Sequence, residues 1–220
     1  MAKSTTNSSP MIQGQPILNV ALLGEYGVGK TSLIRRFKYN IYNEGVTQET
    51  VGDFEDVICI VPLRHNESRS MRIRLHDTAG MEKDSSLTSN YYRHKDGIIL
   101  TWDLTREETY RRLGHWEQAA LNNYRDHDIP QFIVVANKCE NQEMDSKVYQ
   151  QCLEYSQAKK YSCFKTSARD SINVKQAFHE LLSLMGKVYE EKNYSKPERE
   201  LSRSVDLENS DLPIKDPCCN

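Results

Sequence analysis

Eight consecutive residues carry the strongest chemical signal in the chain. Gly24-Glu25-Tyr26-Gly27-Val28-Gly29-Lys30-Thr31 fits G-x-x-x-x-G-K-[ST]. A phosphate chain needs many N–H donors pointing into one concavity. Glycines let the backbone curl that tightly without Cβ clashes. Lys30 is placed to reach the outer phosphates, and the Thr31 hydroxyl to bind Mg²⁺, with Ser32 beside it as a further phosphate contact. A helix starting at Lys30 would aim its positive end at the same anion.

Four shorter strings follow in order. Asp77, in His76-Asp77-Thr78-Ala79-Gly80, suits a magnesium held through water, and Gly80 can offer its N–H to a terminal phosphate. Asn137-Lys138-Cys139-Glu140 stands where a base would be recognised. Ser167 and Ala168, in Thr166-Ser167-Ala168, can present N–H groups to a purine carbonyl. Thr50, in a polar irregular stretch, can close on the metal when the last phosphate is present. Each string alone is weak, and Asn-Lys in a loop is usually plain surface. Five in fixed order are strong.

These residues need a scaffold that brings them together. Residues 17–23 form an apolar run ending at Gly24, a buried strand, and Leu33, Ile34 and Phe37 then recur at helical spacing over residues 30–40. Residues 54–63 and 71–75 read as a strand pair, since Met71, Ile73 and Leu75 alternate with Arg72 and Arg74. Strands at residues 97–102, 132–136 and 163–165 alternate with helical patterns at residues 106–125, 145–158 and 174–189. Such alternation predicts an α/β fold: a six-stranded, mostly parallel sheet with one antiparallel strand and helices on both faces. Residues 1–14 read as a polar tail and residues 15–191 as one domain. Residues 192–220, with three prolines and no periodicity, read as a flexible tether.

The bulk numbers fit this picture and remove other classes. The formal net charge of −2 over 220 residues gives no electrostatic reason to expect nucleic-acid binding. No stretch approaches the apolar length of a membrane span, and no secretory segment opens the chain. Cys59, Cys139, Cys152 and Cys163 stand singly, which disfavours zinc and redox motifs, and the Asn-x-Ser triplets at Asn7, Asn66 and Asn193 are then coincidental. Cys218 and Cys219 are different: an adjacent pair of free surface thiols is a poor arrangement for a soluble protein.

With these motifs in this order, the chain resembles the Ras-superfamily GTPases over residues 16–190. Tyr91-Tyr92-Arg93, Lys165-Thr166-Ser167-Ala168 and the cysteine pair make the Rab branch the most similar. The resemblance implies a small G domain that binds GTP and GDP with Mg²⁺ and hydrolyses GTP using Lys30, Thr50, Gly80 and the residue at position 81. It implies two switches, around Thr50 and over residues 77–95, and an effector patch of Phe54, His76 and Tyr91. It further implies geranylgeranylation of both cysteines and partners of four kinds: an exchange factor, an activating protein, an escort or dissociation inhibitor, and effectors. A monomer is expected, on the cytoplasmic face of an endomembrane and cycling with cytosol.

The chain departs from the family at four places. Met81 stands where the family carries a glutamine that orients the attacking water, so slow intrinsic hydrolysis is expected. The alternative is a GTP-binding scaffold that does not hydrolyse. Tyr26 replaces a small phosphate-loop residue, where its ring would obstruct an arginine finger, cover the nucleotide or face solvent. Glu140 replaces an aspartate and places the base-reading carboxylate one methylene further out, and His76 replaces a tryptophan. Guanine remains the expected base, because its N1–H and amino group offer the paired donors that adenine lacks.

Overall fold

A computed structural model describes residues 15–43, 54–64, 67–78, 89–125, 128–141 and 146–194. Among these residues twelve elements run in the order β1 (Ile17–Leu23), α1 (Lys30–Tyr39), β2 (Phe54–Pro62), β3 (Ser68–Asp77), α2 (Ser89–Tyr92), β4 (Gly97–Asp103), α3 (Glu107–Arg111), α4 (Leu113–Leu121), β5 (Gln131–Asn137), α5 (Ser146–Lys159), β6 (Ser162–Lys165) and α6 (Val174–Tyr194). The sheet order is β2-β3-β1-β4-β5-β6. Among the described strands only the β2–β3 pair is antiparallel, with Phe54 opposite His76 and Pro62 opposite Ser68; the other strand pairs are parallel. The expected sheet and strand sense are therefore present.

The sheet separates two apolar layers, because successive side chains of a strand point to opposite faces. On one face Leu18, Val20 and Leu22 of β1 and Ile73 and Leu75 of β3 pack against Leu33 and Ile34 of α1 and Phe178, Leu181 and Met185 of α6. On the other, Ala21 and Leu23 of β1 and Ile98, Leu100 and Trp102 of β4 pack against Leu113 and Trp116 of α4 and Val148 and Cys152 of α5. Every residue of β4 is buried, as a central parallel strand covered on both faces requires. Coverage of both faces leaves the carboxyl ends of β1, β3, β4 and β5 as the open edge, where the ligands of such sheets collect.

Two helices differ from the sequence pattern. Residues 106–125 read as one helix but form α3 and α4, with Arg112 between them. The first turn is fixed to the end of β4: the Thr109 hydroxyl accepts from Asp103 N at 2.9 Å and bonds Arg106 O at 2.6 Å. The second segment is set separately by Leu113 and Trp116 in the core, which are 1% and 6% exposed. At the other end, α6 continues to Tyr194, past the point where apolar spacing stops. Its last turns are held by tertiary ties: Glu190 accepts from Arg64 N and Glu191 pairs with the Arg64 side chain.

α4 carries one buried acid. Glu117 accepts from Tyr155 OH at 2.7 Å and Tyr161 OH at 2.8 Å and pairs with Lys159 at 3.0 Å, joining α4 to α5. Burial pushes its carboxyl up, but the bonds from Tyr155, Lys159 and Tyr161 outweigh this and hold it below the ordinary glutamate value of 4.5. A carboxylate with a depressed native pKa stabilises the fold above that ordinary value and loses the contribution as pH falls through the depressed one. Glu117→Gln is expected to lower stability by about 1–2 kcal/mol at pH 7. The gap to the parent should close under acid conditions. Urea unfolding at pH 7 and pH 3.5 checks this, and a gap of equal size at both would refute it.

Candidate nucleotide-binding site

The carboxyl ends of four parallel strands form one row, and each delivers a polar residue. β1 runs into the phosphate loop, β3 ends at Asp77, β4 at Asp103 and β5 at Asn137, while residues 166–168 follow β6.

The phosphate loop has the backbone its glycines predict. Gly24, Gly27 and Gly29 adopt φ of 150°, 76° and 100°. Space is as restrictive as conformation: a Cβ on Gly24 would stand 2.0 Å from Thr101 O, and one on Gly29 2.4 Å from Asn137 Nδ2. Lys30, 3% exposed, lies under the loop and donates Nζ to Gly24 O and Glu25 O, both at 2.9 Å. Val28 O accepts from Asn137 Nδ2 at 2.9 Å. Three of the loop's carbonyls are thus engaged by the protein's own side chains, which leaves the loop N–H groups as its polar groups for an anion. The Tyr26 side chain is 44% exposed.

Thr31 Oγ1 donates to Asp77 Oδ2 at 2.6 Å, and Thr78 Oγ1 bonds Leu22 O at 3.0 Å, fixing the start of the following segment. A hydroxyl and a carboxylate at the mouth of a phosphate cradle are the hard oxygen donors that suit Mg²⁺. The residues therefore fit this ion.

The base side is assembled around Asn137. Its amide nitrogen takes the phosphate loop, and its oxygen accepts from Thr166 Oγ1 at 3.2 Å and Ala168 N at 3.3 Å. One side chain therefore bonds both other loops. Ser167 Oγ accepts from Asp170 N at 2.8 Å and shapes the same turn. Lys138 adopts φ 67° and directs Nζ to Asp103 Oδ2 at 2.7 Å. Burial works against the Asp103 carboxylate, but bonds from Lys138 and Thr105 hold its pKa below the ordinary range. The Glu140 side chain is 6% exposed, with Arg169 Nε 3.9 Å from Oε1. Its Oε2 is buried and has no hydrogen-bond partner among the described residues. A buried, unfilled carboxylate oxygen calls for an N–H donor. The N–H edge of guanine supplies one, so the site fits that base.

Several contributors are not marked by any motif. Arg36 of α1 donates to Ala168 O at 2.7 Å and Arg169 O at 2.8 Å, which anchors the turn after β6. Glu25 Oε1 accepts from Trp116 Nε1 at 3.0 Å and Arg112 Nε at 3.1 Å. Arg106 bonds Tyr26 O at 2.8 Å and Asp103 at 3.1 Å. Asp103 had a usable signal, an acid ending an apolar run, and the structure pairs it with Asn137.

Of the expected effector patch, Phe54 and His76 are neighbours, with ring centroids 5.9 Å apart, and Phe54 is 46% exposed. Arg74 joins them, its guanidinium 4.1 Å from the Phe54 ring while it holds Asp56 through two bonds. Tyr91 lies on α2, half-buried. Thr50, Gly80, Met81, Cys218 and Cys219 lie outside the described residues.

Comparison with known proteins agrees with the geometry. The sequence profile of the Ras family matches residues 19–187. The chain is 31% identical over 165 residues to Ras-related protein Rab-30 of Homo sapiens, covering 75% of this chain and 78% of that one. It is 30% identical over 203 residues to Ras-related protein RABA1a of Arabidopsis thaliana, covering 90% and 85%. To GTP-binding protein YPT1 of Saccharomyces cerevisiae it is 32% identical over 162 residues, covering 74% and 75%.

Proposed function

The chain belongs to the Ras family of small GTPases, in its Rab branch, and from that premise we propose that it is a guanine-nucleotide switch of membrane traffic with slow intrinsic hydrolysis. The buried Lys30, whose Nζ holds two carbonyls of the glycine-rich loop, is the observation that carries this reading.

Lys30 and the loop N–H groups bind and neutralise the phosphate chain, and the Asn137 bridge keeps phosphate and base loops at a fixed separation. Glu140 selects guanine through its unfilled oxygen. Mg²⁺, when held by Thr31 and Asp77, supplies charge that offsets the phosphates. In the GTP form Thr50 and Gly80 engage the terminal phosphate and order the switches at Thr50 and over residues 77–95; hydrolysis releases them. Effectors that prefer one form read the switch through that difference in affinity, at a patch including Phe54, His76 and Tyr91. Met81 leaves the attacking water without the group that orients it, because a thioether accepts weakly and donates nothing.

The test is to purify the protein, release and identify its nucleotide, and time GTP decay in a single turnover. GDP or GTP should be recovered, and ATP at equal concentration should not displace it. A protein that comes out empty and ignores GTP with Mg²⁺ sinks the reading. Met81 also favours a second reading, a scaffold that holds GTP without turnover; no decay even with an activating protein would select it.

Anchoring follows from Cys218 and Cys219, the proposed geranylgeranyl sites. From Lys192 onward the tail carries five Lys and Arg against six Asp and Glu, so no polybasic patch can act as a second membrane signal. One lipid binds membranes only marginally, so both are needed. Cys218→Ser with Cys219→Ser is expected to move the protein fully to the cytosol. Fractionation that still finds the double variant on endomembranes would contradict this.

A further inference from the structure

We propose that Arg106 is a positioning residue that sets how long a guanine nucleotide stays bound, by tying the phosphate loop to the base loop; this rests on the reading above. Its guanidinium donates Nη2 to Tyr26 O at 2.8 Å and Nε to Asp103 Oδ2 at 3.1 Å. That carboxylate, at a residue with no exposed surface, also takes Lys138 Nζ at 2.7 Å. Tyr26 belongs to the loop that grips phosphates, and Lys138 follows Asn137 in the loop that meets the base. The two ends of the site are therefore joined by an unbroken run: Tyr26 carbonyl, Arg106, Asp103, Lys138. Each bond involves a charged group, and such bonds are about twice as strong as neutral ones.

The loop's chemistry explains why that carbonyl needs holding. Its N–H groups serve an anion only while its carbonyls point away. Lys30 holds Gly24 O and Glu25 O, Asn137 holds Val28 O, and Arg106 holds Tyr26 O. Arg106 alone does so while gripping a buried acid shared with the base loop. A planar fork presents separate N–H donors to the two acceptors in a fixed geometry, whereas a lysine brings all its donors from one atom. A Cβ on Gly27 would stand 3.6 Å from Arg106 Nη2, so the guanidinium charge lies close against the outer wall of the loop.

The experiment uses the full chain. Amide exchange over residues 25–29 is measured without nucleotide, and release of a fluorescent GDP analogue is measured with Mg²⁺. Arg106→Ala is expected to speed both about tenfold, with the melting temperature of nucleotide-free protein nearly unchanged and Arg106→Lys intermediate. Combined with Lys138→Ala, the effects on release should be less than multiplicative, because both substitutions break one connected run. Exchange within twofold of the parent overturns the proposal. So does faster release with unchanged exchange, or a fully multiplicative double variant. A parent that retains no guanine nucleotide overturns the reading beneath it, and this is visible in the parent alone before any variant is compared.

Discussion

Lys30→Ala is expected to abolish useful nucleotide binding while leaving the protein folded. Lys30 Nζ makes two charge-assisted bonds to the loop's own carbonyls at 2.9 Å and is 3% exposed. Its removal acts twice. Gly24 O and Glu25 O lose the group that holds them, and the loop loses a buried positive charge. Hydrogen bonds to charged groups contribute about 1.5–3 kcal/mol each, so two such losses predict a fall in GTP affinity of roughly 10²–10⁴. Fluorescence titration with Mg²⁺ reads this, and circular dichroism confirms the fold. Both bonds are present without nucleotide, so the melting temperature of nucleotide-free protein should fall as well, with the sheet and helices still formed. A variant binding GTP within tenfold of the parent would remove the phosphate loop from the mechanism.

The second large effect runs the other way. Met81→Gln is expected to speed intrinsic single-turnover hydrolysis by a factor on the order of 10–100, the scale on which a misplaced reacting group slows a reaction. The glutamine supplies both an acceptor and a donor for the water, where the thioether has only a weak acceptor. Nucleotide affinity should not move, because position 81 lies outside the glycine-rich loop of residues 24–31. Radiolabelled phosphate release from preloaded protein is the measurement. If the parent already hydrolyses as fast as Met81→Gln, Met81 is no impairment and the slow-switch account is wrong. If neither hydrolyses, alone or with an activating protein, the chain is a scaffold.

Much of the fold was legible because its signals are local. Residues 17–23 end at a glycine and form β1 over that same stretch, and alternation at Met71, Ile73 and Leu75 correctly marked β3. The phosphate loop could be read for the same reason, since its requirement is contiguous. What escaped depends on distant partners. The break between α3 and α4 follows from Thr109 binding back to Asp103, and α6 outlasts its apolar pattern because Arg64 holds Glu190 and Glu191. Arg36 and Arg106 look like ordinary surface arginines. Their roles exist only once Ala168, 132 residues along the chain from Arg36, and Tyr26, 80 residues from Arg106, are brought beside them. Glu140 stands out in the sequence as a departure from the family's aspartate, but that one of its oxygens is buried without a partner among the described residues is a property of packing.

Asn137 limits how this protein can be altered or rebuilt. Because one carboxamide joins three segments far apart in sequence, an insertion or a one-residue slip in any of them misplaces the other two. The three cannot be exchanged one at a time. A phosphate loop grafted from another nucleotide-binding protein would need a matching carbonyl at position 28, and a grafted base loop would need its own carboxamide. Loop transplants that respect this linkage should keep both affinity and base choice; those that ignore it should lose both together.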